Sequence, residues 1–172
     1  MSHKDLVMKK YIVYFSMLFL CGCNFQHRFF EMPLPCEHSK DVLCSPVIHE
    51  VSTAGNYYIE YARVPNNYII YQESGEYKCA DNTIYISVKY NGKTIIQNKD
   101  ITKFSMGDIP YIEKMILMLA ADNFFKIYES DDKLYLETEM SYPDTDWGYY
   151  ITISISKAGE ITYTCIDKDD LE

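Results

Sequence analysis

Apolar and polar residues alternate with a period of two along most of the chain beyond Val47, the pattern of half-buried strands. Residues 83–90 show it plainly: Ile84, Ile86, Val88 and Tyr90 fall on one side, Tyr85, Ser87 and Lys89 on the other. Asn91-Gly92 follows at once and suits a type I′ turn, whose two central residues need positive φ. Residues 93–97 are predicted to return as the partner strand. Residues 56–64 are rich in strand formers. Pro65-Asn66-Asn67 reads as a turn after them, and 68–71 as a short strand. Near the C-terminus, Leu134, Leu136, Thr138 and Met140 alternate with Tyr135, Glu137, Glu139 and Ser141. Ile151, Ile153 and Ile155 then alternate with Tyr150, Thr152 and Ser154, and Ala158-Gly159 turns the chain into 160–166, where Ile161, Tyr163 and Cys165 share one side. A short strand over 124–128 is predicted to precede these.

One stretch breaks the period of two. Ile109, Ile112, Met115, Ile116 and Leu119 follow helical spacing, Asp108 stands where a cap is needed and Pro110 in the first turn. A largely buried helix is therefore expected over 108–121. The fold class that follows is α+β, mainly β: an antiparallel sheet or sandwich of about seven to nine strands with one packed helix. Residues 47–172 form the expected single domain. Residues 23–46 read as a tether, with Pro33, Pro35 and Pro46 among polar residues, although Phe25, Phe29 and Phe30 are apolar enough for part of it to pack on the domain.

The first residues carry a different signal. Lys9 and Lys10 precede an apolar run over 11–20, which is shorter than the roughly 20 residues a spanning helix needs. Leu20-Cys21-Gly22-Cys23 resembles the lipobox of bacterial lipoproteins, with Cys21 standing where Ala or Ser is commoner. The resemblance implies a signal peptide over 1–22, with 1–7 as an upstream extension of a start at Met8. It also implies lipidation of Cys23 and attachment to the cell envelope through acyl chains (palmitate among them). Asn24, where an Asp would favour inner-membrane retention, points to the outer membrane. The whole chain then resembles small β-rich bacterial lipoproteins of unknown function, a likeness that assigns no role beyond Cys23.

Charge narrows the partners. The formal net charge is −9. Removal of 1–22 takes away Lys4, Lys9, Lys10 and Asp5 and leaves −11. Only Arg28 and Arg63 are arginines, so clustered basic residues for nucleic acid are missing. An exported chain with Cys36, Cys44, Cys79 and Cys165 is expected to form disulfides, and Cys36–Cys44 with Cys79–Cys165 is the favoured pairing. The rival use of Cys36, His38, Cys44 and His49 is a tetrahedral zinc site, at a spacing that fits no known zinc motif.

Catalytic constellations are hard to find. Beyond the expected signal segment the histidines are His27, His38 and His49, and all precede the main β region. No nucleophile elbow, zincin helix, P-loop or dinucleotide loop is present. Glu137 and Glu139 share one strand face, which on a solvated sheet is usually simple polarity but leaves a carboxylate-dependent hydrolase as a distant reading. Asp144 and Asp146 form a D-x-D-x-G pattern resembling half a calcium loop, with Asp131 and Asp132 the nearest further oxygens. Trp147 in the same loop is either an exposed contact residue or a cap on the core. The 17 tyrosines add a last clue, because adjacent Tyr57 and Tyr58 must face opposite ways and Tyr61 lies nearby. Outward tyrosines stack on sugars or anchor proteins. The leading expectation is a lipid-anchored, non-enzymatic binding module for a protein or glycan, without a cofactor. The alternative is an envelope inhibitor or immunity protein acting on a basic target, which acidic charge would steer.

Overall fold

The alternating segments fold into ten strands in two sheets, described by a computed structural model over residues 29–31, 34, 37, 39–71, 78–118, 126–143 and 145–171. In chain order the strands are β1 (Val42–Leu43), β2 (Ile48–Ala54), β3 (Tyr57–Tyr71), β4 (Lys78–Tyr90), β5 (Lys93–Ile101), β6 (Ile116–Met118), β7 (Ile127–Ser130), β8 (Lys133–Ser141), β9 (Gly148–Ser156) and β10 (Ile161–Asp167). The first sheet holds β1 to β5 and the second β6 to β10. Every pairing is antiparallel except the two-residue β1, which runs parallel to β4. The signal segment expected over 1–22, and Cys23, lie outside the described residues.

The core-facing side chains are the ones the alternation picks out. Ile59, Ile84, Ile86 and Val88 of the first sheet and Leu134, Leu136, Met140, Ile151, Ile153 and Ile155 of the second form one apolar cluster and are at most 1 % exposed. A fully buried aliphatic side chain contributes about 1.5–3 kcal/mol, so this shared cluster is the main force holding the two sheets together. The β4–β5 hairpin turns on Asn91 (φ 49°) and Gly92 (φ 77°), the positive values its turn requires.

Three expectations are corrected. Residues 65–67 do not turn the chain back. They form a bulge in one long strand, where the β3–β4 register shifts between Pro65 and Ile69. Proline lacks the N–H a regular ladder needs, so the irregularity falls there. The helix over 108–121 is not formed in its described part: a 3-10 turn at Ile112–Lys114 leads into β6, and 119–121 lie outside the described residues. The strand expected at 124–128 begins at Ile127 within the described residues.

The reason for the missing helix lies in β4. Asp81 Oδ1 accepts the Leu117 amide at 2.8 Å, and Asn82 Nδ2 donates to the Leu117 carbonyl at 2.8 Å. The two side chains thus bond Leu117 as a neighbouring strand would. Lys103, fully buried, donates to the Met115 carbonyl at 2.8 Å and the Glu113 carbonyl at 3.2 Å. Its ammonium also lies 3.5 Å from Asp81 and 4.0 Å from the centre of the Tyr68 ring. Burial pushes the Asp81 carboxyl up and the Lys103 ammonium down, each opposed by the other's charge. A helix over 108–121 would take the Leu117 amide for itself and leave Asp81 without it.

The expectation that part of the tether packs on the domain holds. Phe30 is buried on the outer face of the first sheet with Ala62, Val64 and Tyr85. It stacks on His49 at 5.1 Å, and Phe29 lies beneath the Lys89 ammonium at 4.0 Å.

Candidate functional site

The outer face of the second sheet ends in the β8–β9 loop, whose geometry is set by hydrogen bonds. The Tyr142 amide donates to the Trp147 carbonyl at 3.0 Å, and the Thr145 hydroxyl donates to the Tyr142 carbonyl at 3.1 Å. The same hydroxyl accepts the Trp147 amide at 3.2 Å. Gly148 starts β9 because a Cβ there would run into the Met140 carbonyl oxygen. These contacts present Trp147 half-buried, its ring packed on the core at one edge.

Tyr111 closes the other side. Its ring meets Trp147 edge-on, 5.6 Å away at 69°, while Tyr142 lies 6.0 Å from Trp147. Tyr111 is 57 % exposed and holds φ 58°, a left-handed conformation that is unfavourable for a bulky side chain. Among the described residues the other non-glycine positions at positive φ are Asn91, Asn98, Asp131 and Asp132, types that tolerate it. Backbone strain of this kind gathers at functional sites. Tyr111, Lys114, Tyr142, Thr145 and Trp147 line a cleft of about 250 Å³.

Two further clefts adjoin it through shared walls. One of about 460 Å³ runs from Tyr142 and Thr145 past Ser141 and Glu139 to Tyr150 and Lys168. The next, of about 620 Å³, returns to Trp147 by way of Asp146, Glu137 and Asp169. Lys168 bonds Glu139 at 3.0 Å and Ser141 at 3.3 Å, and lies 5.2 Å from the Tyr150 ring centre. The groove therefore offers four aromatic rings, carboxylates, ammonium groups and hydroxyls along one surface.

The residues singled out from sequence divide sharply. Trp147 stands at the centre of the groove, both touching the core and open to it. Tyr57 and Tyr61 are buried, with hydroxyls bonded to the Asp132 carbonyl at 2.9 Å and to Glu50 at 2.6 Å. Tyr58 points outward from the first sheet, away from the groove, and packs against Phe29. Glu137 and Glu139 each have their own lysine, Lys126 at 3.3 Å and Lys168 at 3.0 Å.

The expected disulfides are not formed among the described cysteines. Cys79 lies in the first sheet and Cys165 in the second, where Cys165 is a half-buried free thiol. Burial pushes that thiol up, away from the reactive thiolate. Cys44 is an exposed free thiol, and Cys36 and His38 lie outside the described residues. His49, the remaining residue of the zinc reading, bonds Glu60 at 2.9 Å. Asp146 is exposed and Asp144 lies outside the described residues. Asp131 and Asp132 occupy the β7–β8 turn, at the far end of β8 from Asp146. The nine residues of β8, eight steps, separate those ends by roughly 27 Å, too far to share one calcium ion.

Sequence reasoning missed Tyr111, Tyr142, Tyr150 and Lys168. Tyr111 was assigned to a helix, and nothing in its local sequence signals a left-handed residue. No protein-family model matches the chain, and no curated protein is significantly similar to it.

Proposed function

We propose that this chain is a lipid-anchored cell-envelope module, attached through Cys23, whose Trp147 groove binds a glycan. The observation that carries the binding reading is the convergence of Trp147, Tyr111 and Tyr142 beside Glu139, Ser141 and Lys168. Sugar rings present apolar C–H faces that aromatic rings cover, and hydroxyls that carboxylates and ammonium groups bond. The site is small, concave and mixed in just this sense.

The anchor reading rests on the lipobox-like residues. Six residue steps separate Cys23 from Phe29, a reach of at most about 20 Å. Phe29 and Phe30 rest on the outer face of the first sheet. Calorimetric titration of the full chain with neutral β-linked N-acetylhexosamine and hexose oligomers tests the binding. Uptake of at least one series, abolished by Tyr142→Ala, is expected; no heat with any series would end the reading. Intact-mass analysis finding an acylated Cys23 and no residues 1–22 would support the anchor, and an unmodified thiol behind an intact leader would refute it.

A second reading draws on Asp146 and Asp169, which add negative charge to the groove. It makes the module an inhibitor or immunity protein for a basic envelope enzyme. Association with such a target would weaken as salt rises, because charge steering is screened.

A further inference from the structure

We infer that the groove is one end of a longer site, in which a neutral, β-linked polysaccharide lies along the outer face of the second sheet and reaches a second aromatic platform at Tyr128 and Tyr135. This extended site rests on the glycan reading of the groove and changes its ligand from a short sugar to a chain of several linked rings.

Strand register lays the face out in rows. Tyr128, Tyr135, Ser154 and Thr162 stand side by side across β7, β8, β9 and β10. Two residues along, Glu137, Thr152 and Thr164 form the next row, and Glu139 pairs with Tyr150 in the one after. Leu134, Leu136, Ile151 and Ile153, which alternate with them, enter the core, so the rows share the outer face. The third cleft joins the rows to the groove, because its wall runs from Trp147 past Tyr150 to Glu137 and Lys126. Glu137 accepts a hydrogen bond from the Tyr128 hydroxyl. Tyr128 in turn stacks on Tyr135, with ring centres 5.2 Å apart and planes at 11°. The cleft therefore ends against this pair. Tyr150 faces Glu139, four residues from Tyr135 on β8, so roughly 13 Å of strand separates the two aromatic positions. One pyranose ring cannot touch both; an extended chain can.

Polarity decides what fills the span. Both ends present rings to solvent, Tyr150 being 48 % and Tyr128 39 % exposed. Between them lie hydroxyls, those of Ser154 and Thr162 only 2.6 Å apart. Charges on the strip are balanced within it, Lys126 against Glu137 at 3.3 Å and Lys168 against Glu139 at 3.0 Å. Aromatic platforms separated by hydroxyls, with charge cancelled locally, match a chain of apolar C–H faces and hydroxyl edges better than a charged polymer. The outer face of the first sheet offers no such path, since Phe29 and Phe30 pack on it.

Calorimetric titration of the full chain with trisaccharides and hexasaccharides of the neutral N-acetylhexosamine and hexose series tests the extension. In the series that the groove takes up, the hexasaccharide is expected to bind roughly five- to tenfold tighter, the worth of one further aromatic contact. Tyr135→Ala is expected to abolish that gain and to leave trisaccharide affinity unchanged, which also shows that the variant is folded. Tyr135→Phe should keep the gain, and Tyr128→Ala, at an exposed position, should reduce it. Equal affinity of the parent chain for the two lengths, or a gain that survives both alanine variants, overturns the extension and leaves the groove reading standing. No heat with either length ends both.

Discussion

The β8–β9–β10 meander and the 102–118 segment border the same core and are held by opposite means. In the meander, ladders join consecutive strands, and every second side chain enters the apolar cluster. In the 102–118 segment, regular structure is limited to two 3-10 turns and a three-residue strand. Side chains from β4 and a buried lysine bond its backbone instead. The first region is stabilised by many interchangeable contacts. The second depends on a few polar ones that fail completely when a partner is lost. This difference also explains the groove. Tyr111 can hold a strained conformation because the buried polar cluster on either side of it, from Lys103 to Leu117, fixes the chain that carries it.

Breaking the polar cluster should have the largest effect. Lys103→Met leaves the Asp81 carboxylate buried without its counter-ion and is expected to lower stability by about 3–5 kcal/mol in urea denaturation. Adding Asp81→Asn, which keeps an acceptor for the Leu117 amide, should recover most of that loss. A loss below about 1 kcal/mol for the single variant would erase the contrast between the regions, since removing one partner of a buried pair costs far more than that.

The meander should respond differently. Leu136→Ala is expected to cost about 2–5 kcal/mol through lost burial and a residual cavity. No partner substitution on β4 should rescue it, because the loss is of packed volume and not of a specific bond. Rescue by an Asp81 or Lys103 variant would show that the regions are coupled.

Tyr111→Gly sharpens the comparison at the groove. Relief of the left-handed strain, about 1–2 kcal/mol, offsets the lost ring contact with Trp147, about 0.5–1.5 kcal/mol. Stability should therefore change little while glycan uptake falls. A large destabilisation with uptake intact would reassign Tyr111 to the core.

The smallest effect lies at the edge of the first sheet. The Lys78 ammonium, 2.9 Å from Asp41, is the main cause holding that carboxyl down at about 2 against an ordinary 3.8, with the Ser39 hydroxyl assisting. Because the folded value is depressed, the favourable contribution is present above pH 3.8 and is lost as pH falls through about 2. Carboxyl-carbon NMR should find the Asp41 midpoint near 2, and Lys78→Met should return it toward the ordinary value.

Much of this contrast was legible in the residues. Ile84 to Tyr90, Leu134 to Met140 and Ile151 to Ile155 declare their faces locally, because a half-buried strand needs nothing but alternation. Asn91-Gly92 specifies its turn by backbone chemistry alone. The helical spacing of Ile109, Ile112, Met115 and Ile116 misled, because the competitor for those amides is Asp81, some 36 residues away. The groove was visible only as Trp147. Its other walls come from Tyr111 on a strained turn, and from Tyr150 and Lys168, which only strand register brings together. The long β3 strand was misread at Pro65 because a bulge and a turn use the same residues.

The central claim is that the Trp147 groove binds sugar, and the chain's single tryptophan makes it directly observable. Intrinsic fluorescence of the full chain should shift in wavelength and intensity, saturably, as neutral β-linked N-acetylhexosamine or hexose oligomers are added, and the response should vanish in Tyr142→Ala. Emission unchanged at saturating concentrations of both series would contradict the account.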